Sequence, residues 1–181
     1  MQIVSVINQK GGVGKTTTVI NLAAGLSQLH KKILVIDLDP QGNATTGLGL
    51  SNMDNSSDTI YGVLNGSKEI STVIKKTHFE NLDIITSNVD LSGLEVETAD
   101  DSNRAFILKA KLTSYLNNSR GSYDYVLIDC PPSLSLLTVM ALVCSGSLLV
   151  PLQTEFFALE GLTQLMKTIE RIKINLNSDL K

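Results

Sequence analysis

Short apolar runs alternate along the chain with longer stretches of helical periodicity. Residues 3–7, 33–37, 82–86, 125–129 and 147–151 are apolar segments of strand length. Between the first two, Ile20, Ala23, Ala24 and Leu26 form an apolar stripe at helical spacing, which predicts a helix over 16–31. Further helices are predicted over 102–117 and 133–144. Leu159, Leu162, Leu165, Met166, Ile169 and Ile172 predict a last helix, with Lys167, Glu170, Arg171 and Lys173 on its other faces. Residues 42–58, rich in Gly, Asn, Ser and Thr, are expected to be mostly mobile loop. The alternation predicts an α/β fold, a mostly parallel sheet covered by helices on both faces. No repeat or low-complexity linker divides residues 1–181, so one domain is expected.

Composition narrows this picture. A chain of 181 residues with 43% hydrophobic content buries a substantial core, and 18% charged residues argue against a disordered or coiled chain. The net charge of −3 gives no global attraction to nucleic acid, so any DNA contact needs a local patch or an assembled surface. Cys130 and Cys144 lie in apolar stretches without CxxC spacing and read as buried small hydrophobes in a reducing compartment. His30 and His78 stand apart and suggest no metal site. The chain starts directly in a strand pattern. Its most apolar later stretch is broken by Ser145, Gly146, Ser147 and Pro151, so a cytoplasmic soluble protein is expected.

The clearest chemical signal is Lys10-Gly11-Gly12-Val13-Gly14-Lys15-Thr16-Thr17, placed between the first strand and the first helix. Glycines let successive backbone N–H groups turn inward around phosphate oxygens, and the helix N-terminus adds partial positive charge. Lys15 is positioned to reach β- and γ-phosphates and the Thr16 hydroxyl to ligate Mg²⁺. Such a motif arises by accident in roughly one in a thousand chains of this length. The general pattern places Gly at position 9, where this chain has Gln9, and the extra Lys10 needs its own explanation.

Two apolar strands end in carboxylates. Asp37 and Asp39 follow the second, and Asp129 closes the fourth. In a parallel sheet the carboxyl ends of the strands form the ligand edge, the edge from which the phosphate loop departs. Asp129 therefore reads as a Walker B acid near Mg²⁺. Asp39, in a turn set by Pro40 and Gly42, can approach Mg²⁺ as Asp129 does and is the better candidate for orienting water. Asp37, nearer the strand, reads equally well as a buried structural anion.

The run from Gln9 to Thr17, the DLDPQGNATTGLG run from Asp37 to Gly49 and IDCPPSL from Ile128 to Leu134 closely resemble ParA/Soj-type partition ATPases. These share the deviant Walker A fold of P-loop NTPases with MinD, the nitrogenase iron protein and the arsenite-pump ATPases. The residues from Val150 to Leu162 fit the same resemblance, which is least specific over residues 59–118. It implies ATP/ADP and Mg²⁺ as ligands, slow hydrolysis and a nucleotide-sandwich homodimer. In that reading Lys10 crosses the dimer interface to the partner's phosphates, much as an arginine finger acts in trans. Asp39 positions the attacking water, Asp129 holds Mg²⁺ through its water shell, and Thr17 supports the α-phosphate. Partition-type members bind DNA non-specifically as ATP dimers, on the nucleoid, until a ParB-type centromere-binding partner stimulates hydrolysis.

The resemblance also implies strands and helices beyond residue 181, which would carry much of the adenine pocket and the DNA-contacting basic residues. The strand over 147–151 is then expected on an open sheet edge, with the last helix partly uncovered or packed against another copy. The chain is expected to be a C-terminally truncated family member. Four alternatives stay open. A MinD-like membrane ATPase needs a basic amphipathic tail, whereas residues 175–181 read NLNSDLK. An iron–sulfur carrier needs more closely paired cysteines, and a GTPase needs a guanine-reading [NT]KxD motif. A truncated module would bind nucleotide without turnover.

Overall fold

All five apolar runs become strands of one sheet in the computed structural model, which describes residues 1–50, 58–118, 123–154 and 158–181. The strands are β1 (Gln2–Val6), β2 (Ile33–Asp37), β3 (Ile74–Lys76), β4 (Leu82–Ile85), β5 (Tyr125–Asp129) and β6 (Ser147–Leu149). Their order is β3-β4-β2-β5-β1-β6, parallel throughout except for the antiparallel β3–β4 pair. The pattern of the sequence did not mark β3. Three residues are too few to show a period of two, and a short lysine-bearing strand is typical of a sheet edge.

Eight helices were traced among the described residues: α1 (Lys15–Gln28), α2 (Asn43–Gly47), α3 (Ile60–Leu64), α4 (Ile70–Val73), α5 (Leu94–Glu97), α6 (Ile107–Asn118), α7 (Leu136–Cys144) and α8 (Ala158–Asn175). Because side chains alternate along a strand, the sheet feeds two cores. Ile33 and Val35 of β2, Ile84 of β4 and Leu127 of β5 face Val19 and Ala23 of α1 and Ala44 of α2. Leu34 and Ile36 of β2, with Val126 and Ile128 of β5, face the other way onto α3, α4, α6, α7 and α8. The fold is thus an α/β sheet covered on both faces, as the apolar runs predict. Cys130 and Cys144 are buried free thiols, and burial pushes Cys144 up to about 12, which keeps it protonated and inert.

The expectation of loop over 42–58 is corrected in part. Residues 43–47 form α2, whose Ala44 and Thr45 are fully buried; residues 51–57 lie outside the described residues. The polar composition concealed this helix because Thr45 is buried by hydrogen bonding rather than by apolarity. On α8, Leu165 and Ile172 are buried, whereas Met166 is 52% and Ile174 is 74% exposed. The predicted stripe therefore narrows, with Met166 on its outward flank. Among the described residues no helix is long and apolar enough to cross a membrane.

β6 is an edge strand with half-buried residues, and its outer main chain pairs with Lys181: the Lys181 N–H donates to Gly146 and its carbonyl accepts from Leu148. Just before it, the Asn177 amide donates to the carbonyls of Leu142 and Ser145, both at 2.8 Å, at the carboxyl end of α7. That single side chain satisfies groups the helix cannot bond itself. Asn177→Ala is expected to lower stability by about 1–3 kcal/mol in urea unfolding, and an unchanged midpoint would show that solvent replaces the cap.

Candidate functional site

Strand register brings the predicted groups to one edge. Val6 of β1 and Asp37 of β2 both stand level with Asp129 of β5. Lys10, Gly11, Gly12, Val13 and Gly14 occupy the loop that leaves β1 at this level, while Lys15, Thr16 and Thr17 open α1. Asp39 lies in the turn after β2. The Gly42 N–H donates to the Asp39 carbonyl at 2.9 Å and the Gln41 N–H to the Asp39 carboxylate at 3.0 Å. The residues singled out from the sequence, Lys10 to Thr17 with Asp37, Asp39 and Asp129, therefore all sit at the carboxyl edge of the sheet. Lys10 and Thr17 are exposed; Val13, Lys15, Asp39 and Asp129 are buried.

The loop is shaped for an anion. Gly12 (φ 74°) and Gly14 (φ 90°) adopt the left-handed backbone that side chains with a Cβ avoid. A Cβ at Gly11, Gly12 or Gly14 would meet no atom within 4 Å, so the loop borders open space. The amino end of α1 has neither a side-chain cap nor an acidic residue in its first turn, which leaves its N–H groups for an outside acceptor. The Lys15 ammonium donates to the Lys10 carbonyl at 3.0 Å. Burial lowers its pKa, and the nearby Asp129 and Asp39 carboxylates counter part of that effect.

Asp129 closes β5 at the buried end of the sheet. It is 0% exposed, and neither carboxylate oxygen finds a hydrogen-bond partner of good geometry among the described residues. Burial pushes its pKa up to about 7; the Thr16 hydroxyl opposes the rise, and repulsion from Asp37 and Asp39 adds to it. An unpartnered, buried carboxylate beside a threonine hydroxyl is a donor set suited to a hydrated Mg²⁺, which takes few protein ligands. Among the described residues no group of three or more His, Cys, Asp or Glu is placed to hold a metal.

Asp37, left open between two roles by its position, is hydrogen-bonded within the chain. Its carboxylate accepts from the Thr45 N–H at 2.8 Å, the Thr45 hydroxyl at 2.7 Å and the Asp39 N–H at 3.2 Å. Burial still raises its pKa to about 6. Asp37 thus anchors α2 and the turn bearing Asp39. The Thr45 hydroxyl in turn accepts the Ser87 N–H at 3.0 Å, which ties the end of β4 into the same network. Thr45 was missed in the sequence because it lies inside the polar stretch; its spacing of eight from Asp37 carries no recognisable signal.

Two hollows of about 680 and 700 Å³ lie at the amino ends of the strands and contain none of these residues. The chemistry-bearing groups converge at the carboxyl edge, and that convergence, rather than hollow size, locates the site.

A family model described as an AAA domain matches residues 1–181. The chromosome partitioning protein ParA of Caulobacter vibrioides is 48% identical over 181 residues, 100% of this chain and 67% of its own length. The sporulation initiation inhibitor protein Soj of Bacillus subtilis is 45% identical over 179 residues, 99% of this chain and 69% of its own. The chain belongs to the ParA/Soj family. It spans about two-thirds of the length of these two relatives. Among solved structures, a cobyrinic acid a,c-diamide synthase from Mycobacterium smegmatis with bound ATP analogue and magnesium matches at a TM-score of 0.92 and 38% identity. That match covers 100% of this chain and 72% of the other. The fold is that of ParA-like P-loop NTPases, and the family is one of partition ATPases.

Asp129 gives the site a measurable pH signature. Its folded pKa of about 7 lies above the ordinary 3.8, so the folded chain keeps a proton that the unfolded chain releases. Stability therefore falls as pH rises through this window and is level on either side of it. In metal-free buffer Asp129→Asn is expected to exceed the wild type by about 1–3 kcal/mol at pH 8, with the gap closing toward pH 4. Chemical denaturation across that range checks it, and equal stabilities at pH 8 would contradict the buried, unpartnered charge.

Proposed function

We propose that this ParA/Soj-family chain is a Mg²⁺-dependent ATP-binding and slowly ATP-hydrolysing dimerisation switch for chromosome or plasmid partitioning. Residues 1–181 form its single nucleotide-binding domain. The observation that carries this reading is the buried Asp129 carboxylate, which has no hydrogen-bond partner of good geometry among the described residues, beside Thr16 and Lys15 at the mouth of an open glycine loop. A buried charge of this kind calls for a counter-ion that arrives with the ligand.

Each residue has a role in this reading. The N–H groups of residues 10–17 cradle the phosphates, Lys15 leaves the Lys10 carbonyl for the β- and γ-phosphates, and Thr17 supports the α-phosphate. Thr16, and Asp129 through water, would hold Mg²⁺, which would neutralise and orient the phosphate oxygens. Asp39, in the turn fixed by Asp37, orients the attacking water. Lys10 is exposed at the loop's outer face, where it would reach the phosphates of a second copy.

The partner reading follows the family: an ATP dimer on non-specific DNA in the cytoplasm, released when a ParB-type protein stimulates hydrolysis. It is supported by the partitioning proteins of similar sequence and by the magnesium and ATP analogue bound in the M. smegmatis structure.

Solution mass by light scattering with Mg²⁺-ATP, Mg²⁺-ADP and no nucleotide tests the switch. A dimer specific to Mg²⁺-ATP is expected, and Lys10→Ala is expected to abolish it. Lys15→Ala should weaken Mg²⁺-ATP binding on the order of a hundredfold. A mass that never changes with nucleotide would overturn the switch, and Lys15-independent binding would overturn the loop assignment.

A further inference from the structure

Where the general phosphate-loop pattern has a glycine, this chain has Gln9, and the backbone there is shaped by the residue before it. The Asn8 side chain bonds in both directions. Its Oδ1 accepts the Lys10 N–H at 3.0 Å, and its Nδ2 donates to the Pro151 carbonyl at 2.8 Å. The first bond is a side-chain turn of the kind Asn forms two residues ahead of an N–H, which bends the chain without glycine. The opposed partners fix the amide's orientation, since one oxygen faces a donor and one nitrogen faces an acceptor. Farther along, the Gln153 Nε2 donates to the Gly12 carbonyl at 3.1 Å.

Residues 151–153, which leave β6, are therefore bonded to the loop on both sides of Lys10. A cleft of about 240 Å³, lined by Asn8, Gln9, Lys10, Val13, Leu152 and Gln153 among others, separates loop from segment, and these two side-chain bonds span it. Within the loop, the Lys10 carbonyl receives the Lys15 ammonium. The main chain of Lys10 is thus held at its N–H by Asn8 and at its carbonyl by the lysine assigned to the phosphates.

We propose that Asn8 and Gln153 are positioning residues that set the backbone of Lys10 and couple the occupancy of the loop to the segment leaving β6; this rests on the reading of the loop as an ATP site. When phosphates draw the Lys15 ammonium away, the Lys10 carbonyl loses its donor while Asn8 keeps the N–H. The loop then pivots about Asn8, and the pivot is attached to Pro151. Asparagine suits the position because it accepts and donates at one short reach. Aspartate keeps the acceptor but lacks the donor and adds negative charge beside the phosphates.

Hydrogen exchange read by mass spectrometry, with and without saturating Mg²⁺-ATP, tests the coupling in the wild type, Asn8→Ala, Asn8→Asp, Gln153→Ala and Lys15→Ala. In the wild type, nucleotide is expected to change protection over both 8–12 and 150–154. Asn8→Ala should weaken binding about three- to tenfold yet, at saturation, respond over the loop and not over 150–154. Gln153→Ala should reduce the response over 150–154. Asn8→Asp should uncouple the segments while keeping the Lys10 amide protected, a split that a general loss of packing does not produce. An undiminished response over 150–154 in the Asn8 variants overturns the proposal, as does loss of both responses together with a lowered melting temperature. If the wild type shows no Lys15-dependent binding of Mg²⁺-ATP, the ATP reading itself falls, and the coupling with it.

Discussion

The arrangement depends on a charge placed where it is poorly tolerated. Asp129 closes a strand buried on both faces, level with the start of the phosphate loop and with Asp37 on the neighbouring strand. In that setting a carboxylate loses its hydration and gains repulsion from two other acids. Among the described residues neither oxygen has a hydrogen bond of good geometry, and the Thr16 hydroxyl beside it offsets the rise in its pKa only in part. Lys15, whose charge counters it, is itself partly desolvated and is turned to a carbonyl of the loop. Three acids and one lysine thus form a cluster that a cation and a polyphosphate together would balance better than the chain does alone.

The surrounding fold keeps these groups in register. Val6, Asp37 and Asp129 are aligned by main-chain pairing, so no side-chain packing has to place them. The turn bearing Asp39 is held differently, through Asp37 and Thr45 to the end of β4. The loop is held in a third way, by Asn8 and Gln153 against the segment after β6. Each part of the site thus answers to a different strand of the sheet.

What was legible in the sequence follows from the scale of each signal. Strands buried on both faces read as apolar runs, and β2 and β5 were found to the residue. The loop and the strand-ending acids were visible because their chemistry restricts residue type at fixed places. α2 was hidden because Thr45 is buried through hydrogen bonds to Asp37, so its segment looks like solvent-exposed loop. The links from Asn8 to Pro151 and from Gln153 to Gly12 bring together residues far apart in the chain, and local spacing carries no trace of them. β3 was too short for its period to register.

The place of β1 in the sheet bears on how the protein is made. The strand that launches the phosphate loop ends at Val6, yet its neighbours in the sheet are β5 and β6, which begin at Tyr125 and Ser147. β1 and its loop therefore have no parallel neighbour to pair with until Tyr125 and the residues after it have been made. Pairings across such sequence distances fold slowly and leave apolar strands exposed meanwhile. The phosphate-loop motif is thus made well before the strands that build the site around it.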